Sequence, residues 1–340
     1  MSALLAAPVR VLATRPRVGF LGVGWIGRHR MNAVVAAGAV EVAAIADLSP
    51  QMAAEAAQLA PQAKRLSSLD DLLDAGVDGV VIATPSALHT QQAIRALERG
   101  AAVFCQKPLG RTQTEVLAVL QAARTADRLL AVDLSYRFTK GMRLIRELVS
   151  SGELGRIYAA ELAFHNAYGP DKAWFYDPAL SGGGCVMDLG VHLVDLALWT
   201  LDHPRVTDVS AKLFAGGDRL GQRPDRVEDY AVAALELESG ATIELACSWR
   251  LHAGCDAVIE AAFYGTRGGA ALRNVNGSFY DFIAERYRGT GREVLAAPPD
   301  PWGGGAVADW AARLTAGERF LPEVERLADV ARVLDQIYGR

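Results

Sequence analysis

The sequence predicts an α/β protein of two domains: an N-terminal doubly wound parallel sheet over residues 17–136, and a C-terminal α+β domain over residues 137–340 with a large, mostly antiparallel sheet. Three observations predict it. Short apolar runs alternate with helical segments as far as Tyr136, and a glycine-rich turn follows the first of those runs. Beyond Tyr136 the rhythm changes, and strands with alternating faces replace the βα units. A length of 340 residues also favours two cores over one.

In chain order, Arg17–Gly22 reads as a buried strand, Trp25–Ala37 as a helix and Glu41–Asp47 as a second strand. A helix near Gln51–Leu59 follows, then a strand at Asp78–Ala83, a helix at Ala87–Arg99 and a strand at Ala101–Cys105. A helix over Thr112–Ala126 and a strand at Leu129–Asp133 complete the first domain. In the second, a helix near Lys140–Val149 precedes a strand from Arg156 to Phe164 and a helix from Cys185 to Thr200. Thr242–Arg250 sets Ile243, Leu245, Cys247 and Trp249 on one face and Thr242, Glu244, Ser248 and Arg250 on the other, as a half-buried antiparallel strand does. Further short strands occupy roughly residues 205–290, and Ala297–Gly305 is a Pro/Gly loop. Glu323–Tyr338 is an amphipathic helix with Val324, Leu327, Ala331, Leu334 and Tyr338 on one stripe, suited to docking back on the first domain.

Composition narrows the function. A net charge of −4 argues against a nucleic-acid or anionic-membrane partner, and no apolar run reaches the ~18 residues of a membrane span. Residues 1–16 form an apolar arm broken by Arg10 and Arg15; with no basic stretch ahead of it, it is not expected to be a secretory signal. Cys105, Cys185, Cys247 and Cys255 show no C-x-x-C spacing, so free thiols in a reducing cytoplasm are expected, with no metal site.

Gly22-Val23-Gly24-Trp25-Ile26-Gly27 matches G-x-G-x-x-G between a strand and a helix. The glycines permit a tight turn, close approach of a pyrophosphate and close helix–strand packing, and the helix N-terminus offers free N–H groups to phosphate. Asp47 closes the second strand, where a carboxylate accepts from the adenosine ribose diol and repels a 2′-phosphate. That favours NAD over NADP; the competing role for Asp47 is a helix cap ahead of Pro50.

Further motifs resemble the Gfo/Idh/MocA oxidoreductase family along nearly the whole chain. Ala83-Thr84-Pro85-Ser86, with His89, resembles the loop that passes under the nicotinamide. Cys105-Gln106-Lys107-Pro108-Leu109 is similar to the family's Glu-Lys-Pro motif, with Gln106 where Glu is usual. Ser181-Gly182-Gly183-Gly184, followed by Asp188-Leu189-Gly190-Val191-His192, resembles its G-G-G-x-x-x-D-x-G-x-H signature, and Tyr264–Gly268 a turn of its second domain. The resemblance implies cofactor contacts at Gly22, Gly24, Trp25, Ile26, Gly27, Asp47, Ala83, Thr84, Pro85, His89, Gln106 and Lys107. It implies catalysis by Lys107, Asp188 and His192 on a sugar, polyol or inositol, and a homodimer or homotetramer.

The residues support this chemistry independently. Oxidising an alcohol requires a base for the hydroxyl proton, and histidine is the usual one. Asp188 and His192 stand four apart on a predicted helix, with Asp195 extending their stripe, while the rest of Cys185–Thr200 is almost wholly apolar. Three glycines ahead of the helix would let the chain approach a ligand, and Asp188 would sit in its first turn. The competing readings are a structural network, with Asp195 pairing with an arginine, and a divalent metal on Asp188, His192 and Asp195. Lys107 follows a strand at the carboxyl edge, placed to donate to the substrate oxygen. His165, Asn166, Tyr168, Trp174 and Arg250 are lesser candidates for substrate contacts, with His252 beside them; His29 and His203 are expected at the surface. Alternatives to a dehydrogenase are an NAD-dependent glycosidase of the same fold and a non-catalytic NAD-binding regulator.

Overall fold

The computed structural model describes residues 15–221 and 226–340. The N-terminal arm lies outside these except for its last two residues.

The first domain alternates strands and helices: β1 (Arg17–Leu21), α1 (Trp25–Ala37), β2 (Glu41–Ala46), α2 (Pro50–Ala57), β3 (Lys64–Leu66), α3 (Leu69–Asp74), β4 (Gly79–Ile82), α4 (Ser86–Glu98), β5 (Ala102–Cys105), α5 (Gln113–Ala126) and β6 (Leu130–Val132). The strands form one parallel sheet in the order β3-β2-β1-β4-β5-β6. Its central strands are apolar on both faces because helices cover both, and Val80, Val81, Ile82, Val103 and Phe104 are fully buried. Ser49, Ser68 and Thr112 cap α2, α3 and α5 by accepting from the backbone N–H of Met52, Asp71 and Glu115. α1 is different: Gly24 precedes it and no side chain caps it. β3 and α3 were not expected; β3 is a three-residue edge strand with two exposed residues, too short and polar to carry a period.

The second domain opens with α6 (Lys140–Ser150) and β7 (Ile157–Asn166), followed by α7 (Pro178–Ser181), a π-helical turn at Val186–Gly190 and α8 (Val191–Thr200). Then come β8 (Val206–Ala215), β9 (Asp218–Arg219), β10 (Tyr230–Leu237), β11 (Thr242–Ser248), β12 (Ala257–Gly265), β13 (Gly268–Asn274), β14 (Phe282–Arg288) and β15 (Gly291–Ala296). They form one sheet in the order β15-β14-β13-β12-β7-β11-β10-β8-β9. The predicted antiparallel strand, β11, is antiparallel only to β10; it runs parallel to β7 on its other edge. One sheet face carries α6 and α8 and holds the core, with Ile243, Leu245 and Cys247 buried against them.

Two C-terminal elements tie the domains together. α9 (Gly305–Thr315) was not expected, and although it lies within residues 137–340 it packs on the first domain's sheet. Trp310 is fully buried there against Phe104, over Gly79, where a Cβ would come within 2.8 Å of the indole. α10 (Leu327–Tyr338) follows a 3-10 turn at Pro322–Arg326, so the predicted continuous helix is two pieces. It lies against α5 on one side and α8 and β8 on the other. Asp335 accepts from the Gln113 N–H at 2.8 Å, and Arg340 donates to the Arg111 and Gly182 carbonyls.

Candidate active site

A cleft of about 1240 Å³ runs between the domains along the carboxyl ends of the first sheet's strands. Gly22, Gly24, Trp25 and Ile26 line one end with Asp47, Ala83, Thr84, Pro85 and His89; Gln106, Lys107, Asp188 and His192 line the other. Gly27 does not line it: its Cα faces the Gly22 carbonyl, and a Cβ would stand 2.2 Å from that oxygen. At Gly24 a Cβ would meet nothing within 4 Å, so the space above the uncapped α1 is open. That opening and the unpaired N–H groups at the helix start suit a pyrophosphate. Asp47 accepts from the Val23 N–H at 2.7 Å and the Ser49 N–H at 2.8 Å. It therefore braces the glycine turn, while Ser49, not Asp47, caps α2.

His89 is buried beneath the cleft floor. Its ring nitrogens each lie 2.7 Å from a carbonyl oxygen, that of Pro108 and that of Thr84. It thus ties the Thr84–Pro85 loop to the turn that carries Lys107. Burial pushes its pKa down, against the two carbonyls that favour the protonated ring.

At the chemical end, Lys107 Nζ reaches across the domain boundary to Asp188, donating to its Oδ1 and its main-chain carbonyl, both at 2.6 Å. The other carboxylate oxygen, Oδ2, accepts from Trp249 Nε1 at 3.0 Å. A π-helical turn carries Asp188, and α8 follows it directly with His192 in its first turn. His192 opens α8, its ring edge-on to Tyr136 with centroids 4.9 Å apart. Burial first, then the charges of Lys107 and Arg30, hold its pKa well below the usual histidine range. Asp195, by contrast, is buried in a pair with Arg137 and does not line the cleft. The metal reading of Asp188, His192 and Asp195 fails on this geometry, and no cluster of three such ligands occurs among the described residues.

The Gln106 substitution has a structural counterpart. Gln106 Nε2 donates to Asp133 Oδ2, which also accepts from Arg30 Nε at 2.5 Å. Arg30, Gln106 and Asp133 are all buried, and all line the cleft. A glutamate at 106 would face the Asp133 carboxylate; the amide instead supplies a donor. The carboxylate missing from position 106 thus stands at the end of β6, balanced by Arg30.

The glycines before α8 are demanded by the protein's own packing, and Gly183 and Gly184 also line the cleft. A Cβ at Gly184 would lie 1.9 Å from the Glu228 carbonyl oxygen. The Glu228 carboxylate is buried here, accepting from the N–H groups of Gly184 and Val186 and from the Tyr338 hydroxyl at 2.8–3.0 Å. Burial raises its pKa.

Of the lesser candidates only Trp174 lines the cleft, stacked on Phe175. His165 turns away to Ser248 Oγ at 2.8 Å, and Asn166 accepts from the Tyr168 N–H. Tyr168 donates outward to Asp256, and Arg250 packs on Tyr176. His252 is exposed. His29, expected at the surface, is exposed yet lines the cleft edge, and His203 is half-buried with an unpartnered Nδ1. The sequence reading missed Arg30, Asp133, Tyr136, Trp249 and Trp302. Trp249 alone carried a signal, an indole at the carboxyl end of a strand whose N–H needs a buried acceptor.

Comparisons with known proteins agree with this architecture. A model of an oxidoreductase family with an NAD-binding Rossmann fold matches residues 16–134, and a GFO/IDH/MocA C-terminal domain model matches residues 142–271. Inositol 2-dehydrogenase of Leifsonia xyli is 32% identical over 251 residues, 73% of this chain and 70% of that protein. D-glucoside 3-dehydrogenase of Escherichia coli is 29% identical over 214 residues, 59% of this chain and 60% of that protein. Levoglucosan dehydrogenase, solved in complex with NADH and levoglucosan, shares the fold. Its TM-score is 0.82 at 22% identity, over 95% of this chain and 96% of that one. With both domains matched and a glycine turn opening on an uncapped helix, the chain belongs to the Gfo/Idh/MocA family of NAD-binding oxidoreductases.

Proposed function

We propose that this protein is an NAD-dependent dehydrogenase that oxidises a secondary alcohol of an uncharged sugar, polyol or inositol. The observation that carries this is the Lys107–Asp188 pair bridging the two domains in the same cleft as a buried, neutral His192. Bound NAD would supply the hydride acceptor. His192 takes the hydroxyl proton, and its lowered pKa keeps the ring unprotonated at neutral pH. Lys107 donates to the substrate oxygen as charge develops, and Asp188, gripped by Trp249, fixes where the ammonium points. Asp47 supports NAD over NADP, since a 2′-phosphate would meet its carboxylate. The cations lining the cleft support an uncharged substrate: Arg30 is paired with Asp133, Lys107 with Asp188 and Lys172 with Asp171. Four unpaired thiols support a cytoplasmic setting, and the open face of the nine-stranded sheet supports a homo-oligomer.

The purified protein, offered NAD with inositols, D-glucosides and other aldose derivatives, is expected to form NADH and ketone in equal amounts from at least one. Release of a free sugar with no net NADH would point instead to the glycosidase reaction. NAD binding without turnover of any neutral polyol would leave a binding protein.

A further inference from the structure

Asp133 closes β6, the last strand of the half of the sheet that in doubly wound folds serves the second mononucleotide. It is 1% exposed and lines the cleft. Its two oxygens are treated unequally: Oδ2 receives both Arg30 and Gln106, while Oδ1 is buried with no partner at all. Arg30 is itself anchored by donating to the Gly303 carbonyl, so the carboxylate cannot turn without breaking a buried ion pair. A buried acceptor held in place and left empty is costly unless a ligand fills it.

We propose that Asp133 Oδ1 is a recognition point for an uncharged N–H or O–H donor of the bound pair. This rests on the reading of the cleft as an NAD and polyol site. Two groups carry that chemistry: the carboxamide of the nicotinamide, which its strand favours, and a hydroxyl of the substrate. The side chain is a specificity-determining residue, and it takes no part in proton transfer.

Asp133→Asn tests it, because the outcome at Oδ1 is forced. Arg30 and Gln106 both need an acceptor, so the new amide oxygen must face them and its NH₂ must replace Oδ1. An acceptor becomes a donor. Affinities for NAD, and for its acetylpyridine analogue, in which a methyl ketone replaces the carboxamide, are measured by titration without substrate. If the carboxamide is the donor, wild type prefers NAD over the analogue, and Asp133→Asn weakens NAD roughly tenfold to a hundredfold and erases the preference. If a substrate hydroxyl is the donor, both cofactor affinities hold and KM for the substrate rises by a similar factor. Unchanged cofactor affinities together with an unchanged KM overturn the proposal. Failure of the wild type to bind NAD overturns the functional reading, and this inference with it. Should the lone charge of Arg30 prevent Asp133→Asn from folding, Arg30→Met/Asp133→Leu removes both charges and leaves no acceptor at this position, so the same affinities and KM are read for loss of the acceptor.

Discussion

His192 and Lys107 meet in one cleft, but they have different neighbours. Lys107 has Asp188 at 2.6 Å, whereas His192 is 8% exposed, and burial with the charges of Lys107 and Arg30 lowers its pKa. The ring is therefore held in its unprotonated form at neutral pH. His192→Ala is expected to lower kcat by roughly 10²–10⁴ with NAD affinity unchanged, the span of a lost general base. In the wild type the acid limb of kcat/KM should fall below pH 6.5, since the unprotonated ring is required and its pKa is depressed. A limb centred above 6.5 would remove His192 from the role. Gly24 makes a separate prediction: a Cβ there meets nothing, so Gly24→Val should fold with an unchanged Tm. It should nevertheless bind NAD much more weakly, because the branched side chain fills the open space over α1. Equal NAD affinity in the folded variant would displace the pyrophosphate from that turn. The glycines, Lys107, Asp188 and His192 were legible because each belongs to a motif of fixed spacing. Arg30 and Asp133 were not, being single polar residues 103 positions apart that meet only in the folded domain.

The elements that hold the site depend on one buried carboxylate. Glu228 lies just ahead of β10, yet it satisfies the N–H groups of Gly184 and Val186, at the start of the segment that carries Asp188, and also binds Tyr338 at the end of α10. No local sequence pattern announces such a contact, which spans 110 residues to Tyr338. The same holds for α9: it follows a Pro/Gly loop, and its burial comes from Trp310 finding the space above Gly79 rather than from a distinctive period. β11, by contrast, was legible from alternation alone. Glu228→Ala would strand two backbone donors and a hydroxyl in a dry interior. The expected cost is about 3 kcal/mol in urea-induced unfolding, with the milder Tyr338→Phe losing about 1 kcal/mol. A loss under 0.5 kcal/mol in Glu228→Ala would show that the segment before α8 is held by packing alone.

Across the whole molecule, histidines link stability to pH, most strongly the buried His89 and His192 and least the exposed His29. His29, His89, His165, His192 and His203 all have pKa values below the ordinary 6.5, with burial the largest cause in each. In the unfolded chain these rings take up protons near pH 6.5, while in the folded chain they resist until lower pH. Above about pH 7 both states are neutral and the full stability is present. As pH falls below 6.5 the unfolded state binds more protons, so stability declines through each folded pKa in turn. Glu228 works the other way: its raised pKa means that its contribution is present at low pH and is lost as pH rises through its folded value. The buried His89 and His192 dominate this balance, so Tm should be nearly flat from pH 8 to 7 and fall steadily toward pH 5.5. His192→Gln should flatten that fall measurably, because it removes the ring whose pKa burial and two cations hold well below normal. Glu228→Gln should leave the acid slope standing. Calorimetric Tm values for the three proteins across that range decide it, and a Tm that rises on acidification would mean these rings are not buried in neutral form.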